Sequence, residues 1–225
     1  MNQIDKTAII EGDVKMGTGN VILPFTYIRG PVIIGSNNII GPHVAIGTPG
    51  QDTRNPRYFC DDKLIEIGDN NIIREFTGIQ KPAYENLTKL GSGIYLMQSV
   101  HIPHDAIIED DVVITPMVAM AGIVRILKAS NIGMGATINQ KNVIGQYSIV
   151  ATGASAMKKV LPFSRYIPGK PISVNSYAVK KFGFEEYSDE ISKYVLEGVT
   201  PKSEPILKVV EHYNKIASQS KLETY

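Results

Sequence analysis

Between Leu90 and Ala156 an aliphatic side chain or a near equivalent returns every six residues. The series runs Leu90, Leu96, Ile102, Ile108, Ile114, Met120, Ile126, Ile132, Ile138, Ile144, Val150, Ala156. An earlier run keeps the same beat at Ile10, Met16, Ile22, Ile28, Ile34, Ile40 and Ile46, and a short middle run at Ile67, Ile73 and Ile79. Most anchors are followed four places later by a small or β-branched residue, such as Val100, Ala106, Val112, Val118 and Val124. A period of six fits neither an amphipathic helix nor a two-residue alternation. It predicts a hexapeptide solenoid, in which each hexad supplies one short strand and one corner of a triangular coil. At three hexads per coil, the 22 anchors predict about seven coils, their anchors stacked into one apolar column. Glycine follows many anchors (Gly17, Gly35, Gly41, Gly47, Gly68, Gly91, Gly133, Gly145), and the expectation is that the corners need its backbone freedom.

Two polar segments break the phase, TPGQDTRNPRYFCDDKLIE and PAYENLTK, and predict protruding loops at about 48–65 and 81–89. Such loops are where binding groups concentrate. The beat stops after Met157. From about Asn175 the chain predicts helices: SDEISKYVLEGV, with Ser188 as N-cap and an end near Gly198, then EPILKVVEHYNKIA with apolar residues at helical spacing. A helical cap would cover the strand edges and apolar column of the last coil. The fold expected is therefore mainly β, a parallel β-helix over residues 1–174 with a C-terminal helical region over 175–225.

Composition narrows the partners. Lys plus Arg is 23 against 22 for Asp plus Glu, a net charge of +1, so no global field draws the chain to nucleic acid or an acidic membrane. The opening MNQIDKTAIIEGD lacks the blocks of a secretory signal, and VVITPMVAMAGIVRIL is too short and interrupted to span a bilayer. The single cysteine, Cys60, makes no internal disulfide and no cysteine-rich zinc site. A cytoplasmic location is expected.

The candidate chemistry lies in SVHIPHDAII. Ile102 and Ala106 are inward positions, so His101, His104 and Asp105 project outside the column. Three readings remain open. They are solvated surface residues; or metal ligands, a set left one histidine short because His43 is about three coils away and His212 lies in the tail; or a catalytic base and its carboxylate. In the last, a histidine near its ordinary pKa of about 6.5 takes a proton from an acceptor at neutral pH. The adjoining carboxylate fixes its tautomer.

The blocks LMQSVHIPHDAII, IGTPGQDTR, EIGDNNIIREFTGIQK and VNSYAVKKFGF together resemble the acyl-carrier-protein-dependent UDP-N-acetylglucosamine O-acyltransferases, from near residue 8 to about 184. That family starts lipid A synthesis, and the resemblance implies a homotrimeric left-handed β-helix with clefts between subunits. It implies His104 as general base, Asp105 as its orienting carboxylate and the Gly122 amide as an oxyanion donor. It also implies His101, Asp52, Arg54 (a lysine in the family), Gln140 and Asn175 as substrate-binding residues, and Ala151 and Thr152 as the depth-setting residues of an acyl groove. No metal and no cofactor is implied. Ile123, Asn139 and Phe182 depart from the family's histidines and arginine, with Lys180 and Lys181 beside the last.

Independently of any family, Lys158, Lys159, Arg165, Lys170, Lys180 and Lys181 follow one another with no Asp or Glu from Ala154 to Phe182. They form either a solvated basic face or a landing site for a phosphate-bearing donor, acyl carrier protein or coenzyme A. YIPGKPI resembles the terminal turn of coenzyme-A-using hexapeptide transferases and keeps that donor open. The reading is an acyltransferase moving an acyl group from a thioester to a nucleotide-linked sugar. The alternatives are an N-acyltransferase of UDP- or dTDP-amino sugars for surface polysaccharide, a metal-dependent hydratase, and a non-enzymatic scaffold.

Overall fold

A computed structural model describes residues 1–55 and 62–225; Cys60 and part of the first loop lie outside the described residues. The hexads fold as strands of two to four residues that climb a triangular coil. They form three sheets of ten, eight and seven strands, in each of which most neighbours are three strands apart in the chain. We call these face A (from Gln3–Ile4), face B (from Ile9–Glu11) and face C (from Val14–Met16). Pairing along each coil axis is parallel, and among the described residues only the last pair, Ser164–Tyr166 with Ser173–Val174, is antiparallel.

The register stacks anchor on anchor. On face A the column runs Ile40, Ile73, Leu96, Ile114, Ile132, Val150. All six are fully buried, and full burial of such a side chain is worth about 1.5–3 kcal/mol. Ile10 and Met16, in the first coil, are only partly buried; Ile4 and Ile9 are exposed there.

The glycine expectation holds for only part of the set. Gly41 and Gly47 do adopt positive φ, at 109° and 88°. Gly17, Gly35, Gly68, Gly91, Gly133 and Gly145 do not. What excludes a side chain there is the next coil. A Cβ on Gly17 would lie 2.8 Å from the Gly35 carbonyl oxygen, and one on Gly68 2.6 Å from that of Gly91. The left-handed corners are instead taken by other residues, among them Phe25, Asn37, His43, Phe76, Asp105 and Ile123, with φ between 54° and 65°.

A buried asparagine ladder runs through the lower coils. Asn20 Oδ1 accepts from the Asn38 amide (2.9 Å), Asn38 Oδ1 from that of Asn71 (2.9 Å), and Asn71 Oδ1 from that of Ile94 (2.7 Å). Their Nδ2 groups donate to the carbonyls of Gly35, Gly68 and Gly91. Corner amides that the helix geometry leaves unpaired are thereby satisfied away from water.

The loops are shorter than expected at their ends, because strands resume at Leu64–Ile67 and at Leu87–Leu90. The tail forms α1 (Ser176–Lys181), α2 (Ser188–Glu197) and α3 (Glu204–Ala217). Asn175 caps α1. Ser188 does not cap α2: it lies inside the helix behind Tyr187, and its hydroxyl donates to the Glu185 carbonyl of the preceding 3-10 turn. Gly198 ends α2 in the left-handed conformation. Phe163, Val179, Ile191, Ile206 and Val210 form a second core over the last coil, while Tyr213 and Ala217 of α3 pack on Leu127 and Val143 of face C.

Candidate active site

His104 and Asp105 occupy the corner between faces B and C, in the bend from strand His101–Ile102 to strand Ile107–Ile108. Asp105 takes φ +62°, a conformation that Asp tolerates better than most residues. This turns its carboxyl back toward the second loop. Sequence pattern placed Asp105 outside the column, and so it is, yet its side chain has no exposed surface. Residues 83–85 fold over it, and their successive amides all donate to the carboxylate: Ala83 and Glu85 to Oδ1 (3.0 and 2.9 Å), Tyr84 to Oδ2 (3.0 Å). The Asp105 amide is itself held by Thr88 Oγ1.

His104 Nδ1 lies 2.7 Å from Asp105 Oδ2. Burial alone would raise the Asp105 carboxyl, but the hydrogen bonds from His104 and from the amides of Tyr84, Glu85 and Ala83 outweigh it and hold the carboxyl below its ordinary value. The carboxylate is therefore ionised at neutral pH and only accepts. Nδ1 must carry the proton, and in neutral His104 the Nε2 lone pair is left to bond elsewhere.

That Nε2 edge meets Gly122, one coil above. A Cβ built on Gly122 would fall 2.4 Å from Nε2 and 2.2 Å from Cε1, so any side chain there would push the ring aside. Gly50 of the first loop approaches from the other side, its would-be Cβ 3.5 Å from His104 Cδ2. The Gly122 N–H has no hydrogen-bond partner among the described residues. The amide of Ile123 donates to the His104 carbonyl (3.1 Å), and that of Lys141 to the Gly122 carbonyl (3.0 Å). His104, Gly122 and Gln140 thus form a column on one corner, with Gln140 exposed two coils above His104.

The remaining expected residues divide into near and far. Asp52 lines a hollow with His104, Gly50, Lys81 and Tyr84. Arg54 grips Asp52 through Nε–Oδ1 (2.8 Å) and Nη2–Oδ2 (3.2 Å), which holds the Asp52 carboxyl below its ordinary value. His101 sits one strand step before, its imidazole pKa lowered by burial and then by the His104 charge. Ala151 and Thr152 lie on the corner between faces A and B, stacked on Gly133. Asn175, Lys181 and Phe182 line a cavity of about 400 Å³ on face A with Arg165, Asn131 and Tyr177. The Asn175 side chain also donates to the Tyr147 carbonyl (2.8 Å) while capping α1. Lys180 is exposed on α1 and does not line that cavity.

The six-cation segment is less free than its sequence implies. Lys158 pairs with Glu223 (2.6 Å), and Lys159 Nζ donates to the Ala217 and Ser220 carbonyls. Sequence reasoning missed Gln80, whose Oε1 accepts from the His104 amide (3.3 Å), and the nearly buried Lys81 beside Asp52. It also missed Tyr84, whose ring centroid stands 5.5 Å from that of His104, and Glu85 and Arg125. The break of phase at PAYENLTK was the available signal for the loop residues.

Residues 13–48 match the family model described as bacterial transferase hexapeptide (six repeats). The acyl-[acyl-carrier-protein]–UDP-N-acetylglucosamine O-acyltransferase of Syntrophobacter fumaroxidans is 31% identical over 182 residues, covering 79% of this chain and 69% of that protein. The enzyme of that name from Aliarcobacter butzleri is 36% identical over 182 residues, covering 72% and 68%. The chain spans little more than half the length of the first curated relatives it matches, 58% of the Gloeothece citriformis protein and 53% of the Synechocystis protein. Among solved structures, Francisella novicida UDP-N-acetylglucosamine acyltransferase shares the fold with a TM-score of 0.82 at 23% identity, covering 99% of this chain and 93% of that one. The Bacteroides fragilis enzyme does so at 0.82 and 24%, covering 99% and 100%. The coil is accordingly a left-handed parallel β-helix.

Proposed function

The chain belongs to the acyl-[acyl-carrier-protein]–UDP-N-acetylglucosamine O-acyltransferase family, and we propose that it transfers an acyl group from a carrier-bound thioester to a hydroxyl of a UDP-linked amino sugar. The observation that carries this reading is the state of His104: Nδ1–H tied to an ionised, fully buried Asp105, with Nε2 turned toward Gly122. In this reading Nε2 takes the proton of the sugar hydroxyl as that oxygen attacks the thioester carbonyl. Asp105 steadies the imidazolium that forms, and the Gly122 N–H receives the negative charge growing on the carbonyl oxygen. Collapse of the intermediate expels the thiolate, which recovers the proton from His104. No enzyme nucleophile is required.

Asp52 and His101 flank His104 and are assigned to the sugar, with Arg54 holding Asp52. Gln140 stands further up the same corner, toward the acyl donor. The face-A cavity, with Arg165, Lys181 and Asn175 around it, suits a nucleotide diphosphate, and Lys180 adds to the local positive charge. Within one chain that cavity and the Ala151–Thr152 corner belong to a different side of the prism from His104. A cleft formed between neighbouring copies brings such sides together, in keeping with a homotrimer. The outward row of face A supports it: Val21, Ile39, Ile72, Tyr95 and Val113 stand in register, with Ile39 42% and Ile72 38% exposed. On face B the outward residues are small around His101, namely Ala45, Gly78 and Ala119, with Tyr27 and Ile9 below them. No described helix is long and apolar enough to cross a membrane.

The test is a mass-spectrometric transfer assay with UDP-N-acetylglucosamine, a panel of 3-hydroxyacyl carrier proteins, and acetyl- and 3-hydroxybutyryl-coenzyme A. Wild type forms an acylated sugar nucleotide, and His104→Ala loses about 10²–10⁴-fold in kcat. Turnover by folded His104→Ala at the wild-type rate would remove His104 from the mechanism. Product only with UDP- or dTDP-amino sugars bearing a free amine would move the acceptor atom from oxygen to nitrogen.

A further inference from the structure

The amides that hold Asp105 belong to a loop, and a loop keeps three donors converged only if something fixes its path. The Glu85 side chain provides the point of attachment. Arg125, on strand Arg125–Ile126 of face C one coil above, reaches back across the corner. Its Nη2 contacts both Glu85 oxygens at 2.8 Å, and its Nη1 donates to the backbone carbonyl of Asp105 at 2.7 Å.

One guanidinium thus joins the two partners of the carboxylate cradle. It grips the side chain of the residue whose N–H donates to Asp105, and it grips the main chain of Asp105 itself. Arg125 is 84% withdrawn from solvent, and its planar fork suits two oxygens and a carbonyl at fixed angles. Neither side chain reaches the Nε2 edge of His104, where chemistry takes place in the reading above. Lysine at 125 would supply the charge without the fork. Nothing in the hexad beat or the family resemblance singles out either residue.

We propose that Arg125 and Glu85 are positioning residues for the catalytic pair, forming a strut that locks residues 83–85 over Asp105 and so fixes His104 as its Nδ1–H tautomer. The inference rests on His104 acting as the base. Without the strut the loop carries its amides away from the carboxylate, Asp105 loses its fixed orientation, and the imidazole spends time turned or in the other tautomer. The consequence falls on the rate of the chemical step, with no loss of grip on the sugar nucleotide.

The experiment compares wild type, Arg125→Met, Arg125→Lys and Glu85→Gln in the full chain by two readouts. The first is kcat and KM for the sugar nucleotide in the transfer assay. The second is the ¹⁵N spectrum of the His104 ring at alkaline pH, assigned by its loss in His104→Gln. The strut predicts that Arg125→Met and Glu85→Gln lose about 10–100-fold in kcat, the scale of a misplaced catalytic group, with KM unchanged. The His104 nitrogens move from a pure Nδ1–H pattern to a tautomer mixture, and Arg125→Lys falls between. Glu85, with a half-exposed side chain and an isosteric replacement, keeps the test meaningful should Arg125→Met fold poorly. Wild-type kcat together with an unchanged ring spectrum in folded Glu85→Gln would overturn the strut. A wild-type chain that acylates no acceptor overturns the proposed function instead, and the ring spectrum still decides whether the strut sets the tautomer.

Discussion

A carboxylate with no exposed surface is costly unless hydrogen bonds replace the water it has given up. Asp105 meets that condition with four donors, three of them main-chain amides. His104–Asp105 was legible in sequence because the anchors on either side gave the pair a direction. The cradle was not, since every residue but proline has an amide and the sequence does not say which loop returns where. Gly122 shows the converse: its letter was visible, but its reason is the ring of His104 in the space a side chain would need. Gly122→Ala should therefore displace the imidazole while leaving the coil intact, because the overlap is with a side chain. The expected loss is about 10²-fold in kcat with an unchanged circular-dichroism melt. A variant that keeps full activity would mean that the Nε2 edge faces elsewhere when substrate is bound. Ile123, by contrast, is a β-branched residue at φ +65°, a backbone state few such residues adopt, and nothing in the structure explains why it stands there.

Among the elements, the hexad period read out nearly everything that depends on burial. Each anchor points inward because two-residue strands leave one side chain for the column and one for the outside. What the period did not expose is the polar ladder inside the coil. Asn20, Asn38 and Asn71 sit four places after Met16, Ile34 and Ile67, the slot that Ile94 and Val112 fill higher up. Their separations of 18 and 33 residues hide the repeat, because the first loop is inserted between the second and third. Asn38 makes the most of its position, with its amide, Nδ2 and Oδ1 all bonded and no exposed surface. Asn38→Ala leaves buried partners unsatisfied at about 1–3 kcal/mol for each group. The midpoint of urea unfolding should fall accordingly, whereas the same substitution at exposed Asn214 on α3 should leave it in place. Equal midpoints would show that water enters the coil and replaces the ladder.

At the scale of the whole molecule, the prism has one apolar face, one face with small residues around His101 and one partly covered by α3. That asymmetry is visible in sequence only after the strands are assigned to faces, because each row collects one residue from every third hexad. The apolar row predicts self-association. Wild type should sediment with the mass of three chains, and Ile72→Asp should sediment as one and lose transfer activity with its fold retained. A wild-type monomer would leave His104 and the face-A cavity in separate sites and would sink the shared cleft. The main-chain cradle of Asp105 carries one consequence beyond mechanism. An amide donates equally well from nearly any residue, so exposed position 84 can change its side chain and keep its bond to the carboxylate as long as the loop keeps its path. Tyr84, which lines the hollow beside His104, can therefore give way to another side chain over generations while its main-chain N–H still donates to Asp105. On the function proposed above, a lineage with this corner holds an evolutionary dial: it can retune which acceptor fits the hollow while inheriting the Asp105 cradle unaltered.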